Sequence, residues 1–198
     1  MKPFHTLIVT ITLVLSTISF NTHADRAYVS IGGGSALDYV FTYRTGKKGG
    51  SDVKALKIDK GVFKGAASVA LGGEGSWWRS AMRLNKYSSD LISNSAVFQF
   101  DYMMRSNDNL ALFAGPNIGI YTISTSNDQV KKNPWLYGFS LGSTFYFSKK
   151  TAVSLRFDSN FSTFLQKYKV VDATAGDDYT GKPIVSTQSV LLTLDFLI

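Results

Sequence analysis

Six charged residues lie within alternating, otherwise largely uncharged stretches: Arg79, Arg83, Asp101, Arg156, Asp158 and Asp195. Along each stretch they share parity with small and polar residues, the signature of one face of a β-strand. Three arginines and three aspartates on a common face are suited to neutralising one another, which is ion pairing and not catalysis. A second charged group is contiguous in sequence: Arg44, Lys47, Lys48, Lys54, Lys57 and Lys60. With Lys64 counted, residues 38–64 hold seven cations against Asp38, Asp52 and Asp59, a net charge of +4. Such a stretch attracts anions.

The inventory for other chemistry is thin. The chain has no cysteine, and its two histidines, His5 and His23, precede residue 25. Without a histidine, the usual base that activates a hydroxyl or water at neutral pH is missing from the rest of the chain. Asp177 and Asp178 form a carboxylate pair with no surrounding constellation and read as solvated loop residues. No zinc, calcium, phosphate-cradling or nucleic-acid motif occurs, so no catalytic residue, metal, cofactor or nucleic-acid partner is expected.

The elements that must position these charges begin after a leader. Lys2 is followed by an uncharged run from Leu7 to Phe20 and then by Thr22-His23-Ala24, the pattern of a cleaved secretory signal peptide over residues 1–24. The domain is then residues 25–198, with 20 cations against 14 acids and a net charge of +6. Its abundance of Ser, Thr, Gly, Tyr and Phe, with Glu74 as sole glutamate, favours strands over helices.

Period-two segments recur eight times, around residues 27–35, 62–72, 77–86, 95–104, 112–121, 135–147, 153–161 and 190–198. One side of each is greasy, as in Phe98, Phe100 and Tyr102, or Leu192, Leu194 and Phe196. Short connections (Gly72–Ser76, Arg105–Asn109, Ser148–Thr151) alternate with long ones (around Thr45–Lys60, Ser89, Ser124–Asn133 and Thr163–Pro183), and the last of these reads as a mobile loop. An even meander of this kind fits an all-β, eight-stranded antiparallel up-and-down transmembrane β-barrel with both termini periplasmic and the long loops extracellular. Orientation follows from the six strand charges, because a cation facing lipid at mid-bilayer costs roughly 2–4 kcal/mol. They must face the lumen as an interior ion network. Trp77, Trp78, Tyr102, Phe145, Phe147 and Phe196 are expected in one interfacial girdle, and Tyr43, Tyr87, Trp135, Tyr137 and Phe161 in the other.

Tyr28-Val-Ser-Ile-Gly-Gly-Gly in the first strand and Phe113-Ala-Gly-Pro-Asn-Ile-Gly-Ile-Tyr121 in the fifth resemble the aromatic-then-glycine strands of small OmpA/OmpX-like outer membrane barrels of Gram-negative bacteria. The resemblance spans the whole of residues 25–198. Members usually finish on an aromatic residue read by the outer membrane assembly machinery; here the aromatic Phe196 stands two places early, before Leu197-Ile198. The resemblance implies outer membrane residence, that assembly machinery as a partner, and for some members an adhesive or host-defence role.

The function expected is therefore non-enzymatic, structural and surface-interacting. Arg44, Lys47, Lys48, Lys54, Lys57 and Lys60 form the candidate anion-binding surface of the first extracellular loop. Lipopolysaccharide is its nearest partner, with host-cell glycans or proteins as further ones, and the chain is expected to be a monomer in outer membrane lipid. A small low-conductance pore is the alternative; a lipid-modifying enzyme or a soluble ligand-binding barrel stands behind it.

Overall fold

A computed structural model describes residues 25–49, 51–59, 63–88, 92–123, 134–162, 168–172 and 177–198. The leader at residues 1–24, Lys60, and the connections at Ser89 and Ser124–Asn133 lie outside the described residues. Ten strands are present among those described: β1 (Arg26–Lys48), β2 (Ser51–Asp59), β3 (Phe63–Glu74), β4 (Trp78–Tyr87), β5 (Ile92–Asn107), β6 (Leu110–Ile123), β7 (Trp135–Tyr146), β8 (Thr151–Ser162), β9 (Tyr168–Asp172) and β10 (Asp177–Leu197). All pairings are antiparallel. β1, β3 to β8 and β10 follow one another around a ring of eight strands, which β1 and β10 close by pairing with each other.

Closure matters because a barrel has no edge, so every backbone donor and acceptor in the wall finds a partner without water. The seam runs from Tyr28 opposite Leu197 to Lys47 opposite Asp178. It is secured at its lower end by reciprocal hydrogen bonds between Ala27 and Ile198, at 3.2 and 2.8 Å.

The period-two pattern sorts the side chains as the sequence predicts. Val69, Leu84, Phe100, Leu112, Phe139, Leu155 and Leu192 are exposed on the outer wall, whereas Arg83 and Asp158 are buried inside. An apolar outer wall around a polar interior is the arrangement for hydrocarbon and is the reverse of a soluble barrel. Near the short turns, Trp77 approaches Tyr102 (ring centroids 6.2 Å apart), Trp78 stacks on Phe100 and Phe145 meets Phe147 edge-on at 5.0 Å. At the other end Tyr137 stacks on Phe161.

The eight-stranded ring is as expected, with one addition to it and two corrections. Tyr87 belongs to no girdle: it keeps the parity of Arg83 and Asn85, is buried, and its hydroxyl lies 3.2 Å from Ser95 Oγ inside the barrel. Beyond the eight ring strands there are also β2 and β9, which flank β1 and β10 outside the ring. And the stretch Thr163–Pro183, expected as a mobile loop, contains β9 and the beginning of β10. β9 pairs with residues 177–181, of which 178–181 in turn pair with β1.

The result is a sheet in the order β2-β1-β10-β9 that continues past the rim. β1 leaves β3 after Leu37 and takes up β2 from Val40 to Lys48. Eleven residues at roughly 3.3 Å each carry it about 35 Å along its own direction beyond the last β3 pair. Tyr39, Phe41 and Tyr43 make this stretch a good strand former. The turn follows at Gly49, whose φ of 57° is a left-handed conformation that glycine adopts without steric cost.

Candidate functional site

The lumen is filled in layers. At the short-turn end Glu74, fully buried, gathers five hydrogen bonds from four residues. Its Oε1 accepts from Arg26 Nη2 (3.0 Å), Arg105 Nη2 (2.7 Å) and the Tyr146 hydroxyl (2.7 Å), and its Oε2 accepts from Arg79 Nε (2.9 Å) and Nη2 (2.5 Å). The guanidinium groups of Arg26 and Arg105 both lie over the Tyr146 ring, 5.2 and 5.0 Å from its centroid. This combines cation–π attraction with charge-assisted hydrogen bonding.

Arg79 extends the cluster upward. It lies 4.7 Å over the Tyr28 ring and reaches Asp195 Oδ2 at 3.4 Å; Ser154 and Thr193 donate to the same aspartate at 2.5 and 3.0 Å. Above it, Arg156 bridges Asp101 (2.5 Å) and Asp158 (3.3 Å) while covering the Phe113 ring at 4.5 Å. Asp101 also accepts from the Ser140 hydroxyl at 2.6 Å and from Gln99 Nε2 at 3.4 Å. Arg83 makes its hydrogen bonds to the neutral groups Gln99 Oε1 (3.0 Å) and Ser68 Oγ (2.6 Å), and so joins the network through Gln99. Toward the far end, Asn117 donates to Asn160 at 3.2 Å, and Thr187 donates to Asp38 at 3.1 Å.

Two apolar clusters bracket these polar layers. One, with Tyr28, Met103, Phe113, Tyr146 and Leu197, lies toward the short turns; the other, with Ile92, Val97, Tyr121, Leu136, Val185 and Leu191, lies toward the long connections. Gly142 shows how the interior fits. It stands between Phe113 of β6 and Arg156 of β8 in the registers of its two neighbours, and a Cβ there would come within 2.5 Å of Phe113 Cζ. The missing side chain makes room for the aromatic ring under the arginine.

The six strand charges thus occupy one lumen, distributed over connected layers. Glu74, Arg26, Arg105 and Tyr146 were not singled out from the sequence as members of this network. The signal was present: Arg26 continues the interior parity of Tyr28 and Ser30, and Arg105 that of Asp101 and Met103.

The cations of residues 44–60 are placed differently. In the β1–β2 ladder Lys47 stands opposite Asp52, Thr45 opposite Lys54, Arg44 opposite Ala55 and Thr42 opposite Lys57. Lys47 is exposed, and Lys48 closes the strand opposite Ser51. They are strung along two strands of the extension past the rim, and Lys60 lies outside the described residues.

Comparison with solved structures agrees with this architecture. Neisserial surface protein A (NspA) is 9% identical and superposes with a TM-score of 0.53, over 86% of this chain and 96% of its own. Ail, the attachment invasion locus protein of Yersinia pestis, is 14% identical, with a TM-score of 0.40 over 87% of this chain and 98% of its own. The outer membrane protease OmpT of Escherichia coli is 11% identical, with a TM-score of 0.35 over 89% and 98%. No family model and no curated protein matches the chain. At such identities the likeness to NspA is one of fold: the chain has the fold of the small outer membrane β-barrels.

Proposed function

We propose that the chain is a non-enzymatic protein of the Gram-negative outer membrane, cleaved after residue 24 and monomeric. On this reading its barrel carries a basic strand extension at the cell surface, which holds anionic groups, foremost the phosphates of lipopolysaccharide. The observation that supports this most is the continuation of β1 and β2 past the ring, because residues 40–59 then carry Arg44, Lys47, Lys48, Lys54 and Lys57 against Asp52 and Asp59, a net charge of +3, on a paired, hydrogen-bonded arm. Positive charge carried on such an arm raises the local concentration of polyanions without requiring a shaped pocket. The non-enzymatic reading draws support from the lack of histidine after residue 23 and from the arginine partners of Glu74, Asp101, Asp158 and Asp195.

The test is to neutralise Lys47, Lys48, Lys54 and Lys57 together as glutamines and measure binding to lipopolysaccharide-containing vesicles and to heparin-like polymers over a range of salt. Weaker binding with a shallower salt dependence is expected for the vesicles. Loss confined to the heparin-like polymer would favour a host-glycan role instead, and unchanged binding to both would reject the reading. Lipid A from cells expressing the protein should keep its mass.

A further inference from the structure

The lipid-facing wall carries a groove between β1, β8 and β10. Its volume is about 430 Å3, and Ile31, Gly32, Val153, Leu192, Thr193 and Leu194 line it. Ile31 and Leu192 are 47% and 57% exposed on the outer face, so the groove opens toward acyl chains and not toward the lumen.

Gly33 continues the groove toward the long connections. It stands opposite Leu192 of β10 and Ala67 of β3, and Ala67 in turn stands opposite Lys86 of β4. Gly33, Ala67 and Lys86 are all exposed and keep the outward parity of Ile31, Val69 and Leu84. The wall itself does not require this glycine. A Cβ on Gly32 or Gly34 would come within 2.4 or 1.9 Å of a β10 carbonyl oxygen, whereas one on Gly33 would meet nothing nearer than the Ala66 carbonyl at 3.4 Å. The absent side chain leaves the outer surface low between the groove and Lys86, which is about 10 Å from Gly33 across two strand spacings.

Lys86 is the last residue but one of β4, at the end of the wall where the exposed Trp135 and Tyr137 begin β7. Its partners in the two ladders are Ala67 and Asn94, and it makes no ion pair or hydrogen bond among the described residues. The carbons of its stem lie on the apolar wall while the ammonium reaches headgroup level. A cation left unpaired by the protein at that depth calls for an anion from the lipid. A second copy does not supply one, since a two-fold contact through this face would set Lys86 beside its own counterpart.

We propose that this face seats the lipid A part of one lipopolysaccharide molecule, with a phosphate on Lys86 and an acyl chain crossing Ala67 and Gly33 into the groove at Ile31 and Leu192. Headgroup and chain are then held at two points of one row across β4, β3, β1 and β10, which a free phosphate would not satisfy. The site rests on the reading that the long connections lie at the cell surface, and it does not involve the basic extension.

The test uses the full chain carrying Lys47→Gln, Lys48→Gln, Lys54→Gln and Lys57→Gln, so that its outcome is separate from that of the extension. This barrel is folded into nanodiscs of phosphatidylcholine with either diphosphorylated lipid A or the same lipid stripped of its phosphates. After extraction into mild detergent, the retained lipid is read by native mass spectrometry. One diphosphorylated molecule per barrel is expected to be retained in preference to the stripped lipid. Lys86→Gln should lower that preference on the order of tenfold, and Lys86→Arg should keep it. Gly33→Leu, which the wall accommodates, should obstruct the acyl path and lower retention of both lipids. Added inorganic phosphate should not displace the lipid. Equal retention of the two lipids by the starting barrel, an unchanged preference in Lys86→Gln, unchanged retention in Gly33→Leu, or displacement by inorganic phosphate would each overturn the proposal.

Discussion

Arg156 of β8 and Asp101 of β5 meet at 2.5 Å across the lumen, although β6 and β7 stand between their strands in the wall. The pair is a strut as well as a neutralisation. Both groups are buried, and removing Arg156 strands Asp101 and Asp158 together, at a cost of about 3–5 kcal/mol, whereas removing Asp101 leaves Arg156 its second partner, Asp158, and costs less. Urea unfolding of the refolded barrel should therefore rank Arg156→Met as more destabilised than Asp101→Leu, with the double variant losing less than the two single losses combined. Additive losses would mean that the two charges are not coupled.

Glu74 should behave as the keystone of the short-turn end. Glu74→Gln removes the charge on which Arg26, Arg79 and Arg105 converge, and a loss of about 3 kcal/mol or more is expected. Tyr146→Phe removes one hydrogen bond to that carboxylate but keeps the ring under the two guanidinium groups, so its loss should be on the order of 1 kcal/mol. Gel mobility against temperature, which separates folded from unfolded barrels, gives the comparison.

Gly142 tests how tightly the lumen is filled. Gly142→Ala places a methyl against the Phe113 ring and the Leu155 carbonyl, so a destabilisation of about 1–3 kcal/mol is expected. Phe113→Leu in the same chain should recover only part of it, because the backbone carbonyl cannot withdraw. Full recovery would show that the ring alone sets the limit.

The outer wall makes a prediction that depends on depth. Phe139→Arg and Leu155→Arg, in the middle of β7 and β8, should each cost about 2–4 kcal/mol in a lipid bilayer, against about 0–1 kcal/mol for Phe147→Arg at the interface. Folding into liposomes under denaturant titration supplies the values. Equal costs at all three positions would contradict a membrane-spanning wall.

Much of the wall was legible because a strand with lipid on one side and a packed lumen on the other leaves a strict alternation in its sequence. Parity told which residues share a side. It could not tell which of them meet, since Arg156 and Asp101 are brought together by closure of the ring and not by spacing along the chain. The same rule, applied one residue further, would have moved Tyr87 inside. Thr163–Pro183 was misread because Asp177, Asp178, Gly181 and Pro183 are turn formers, whereas here they extend β10. Pro183 is accommodated in the gap between β9, whose pairing with β10 ends at Gly181, and β8, whose pairing begins at Ser186. There neither strand requires the N–H that proline lacks.

The seam between β1 and β10 has a consequence for biogenesis. The longest ladder of the barrel joins the earliest strand to the latest, so the chain cannot zip shut until its final residues are available, and contacts of such long sequence separation form slowly. Until that moment the free edge of β1 must be shielded from wrong partners. A chain truncated within the last strand forfeits closure altogether, and with it the seam on which the raised sheet is mounted.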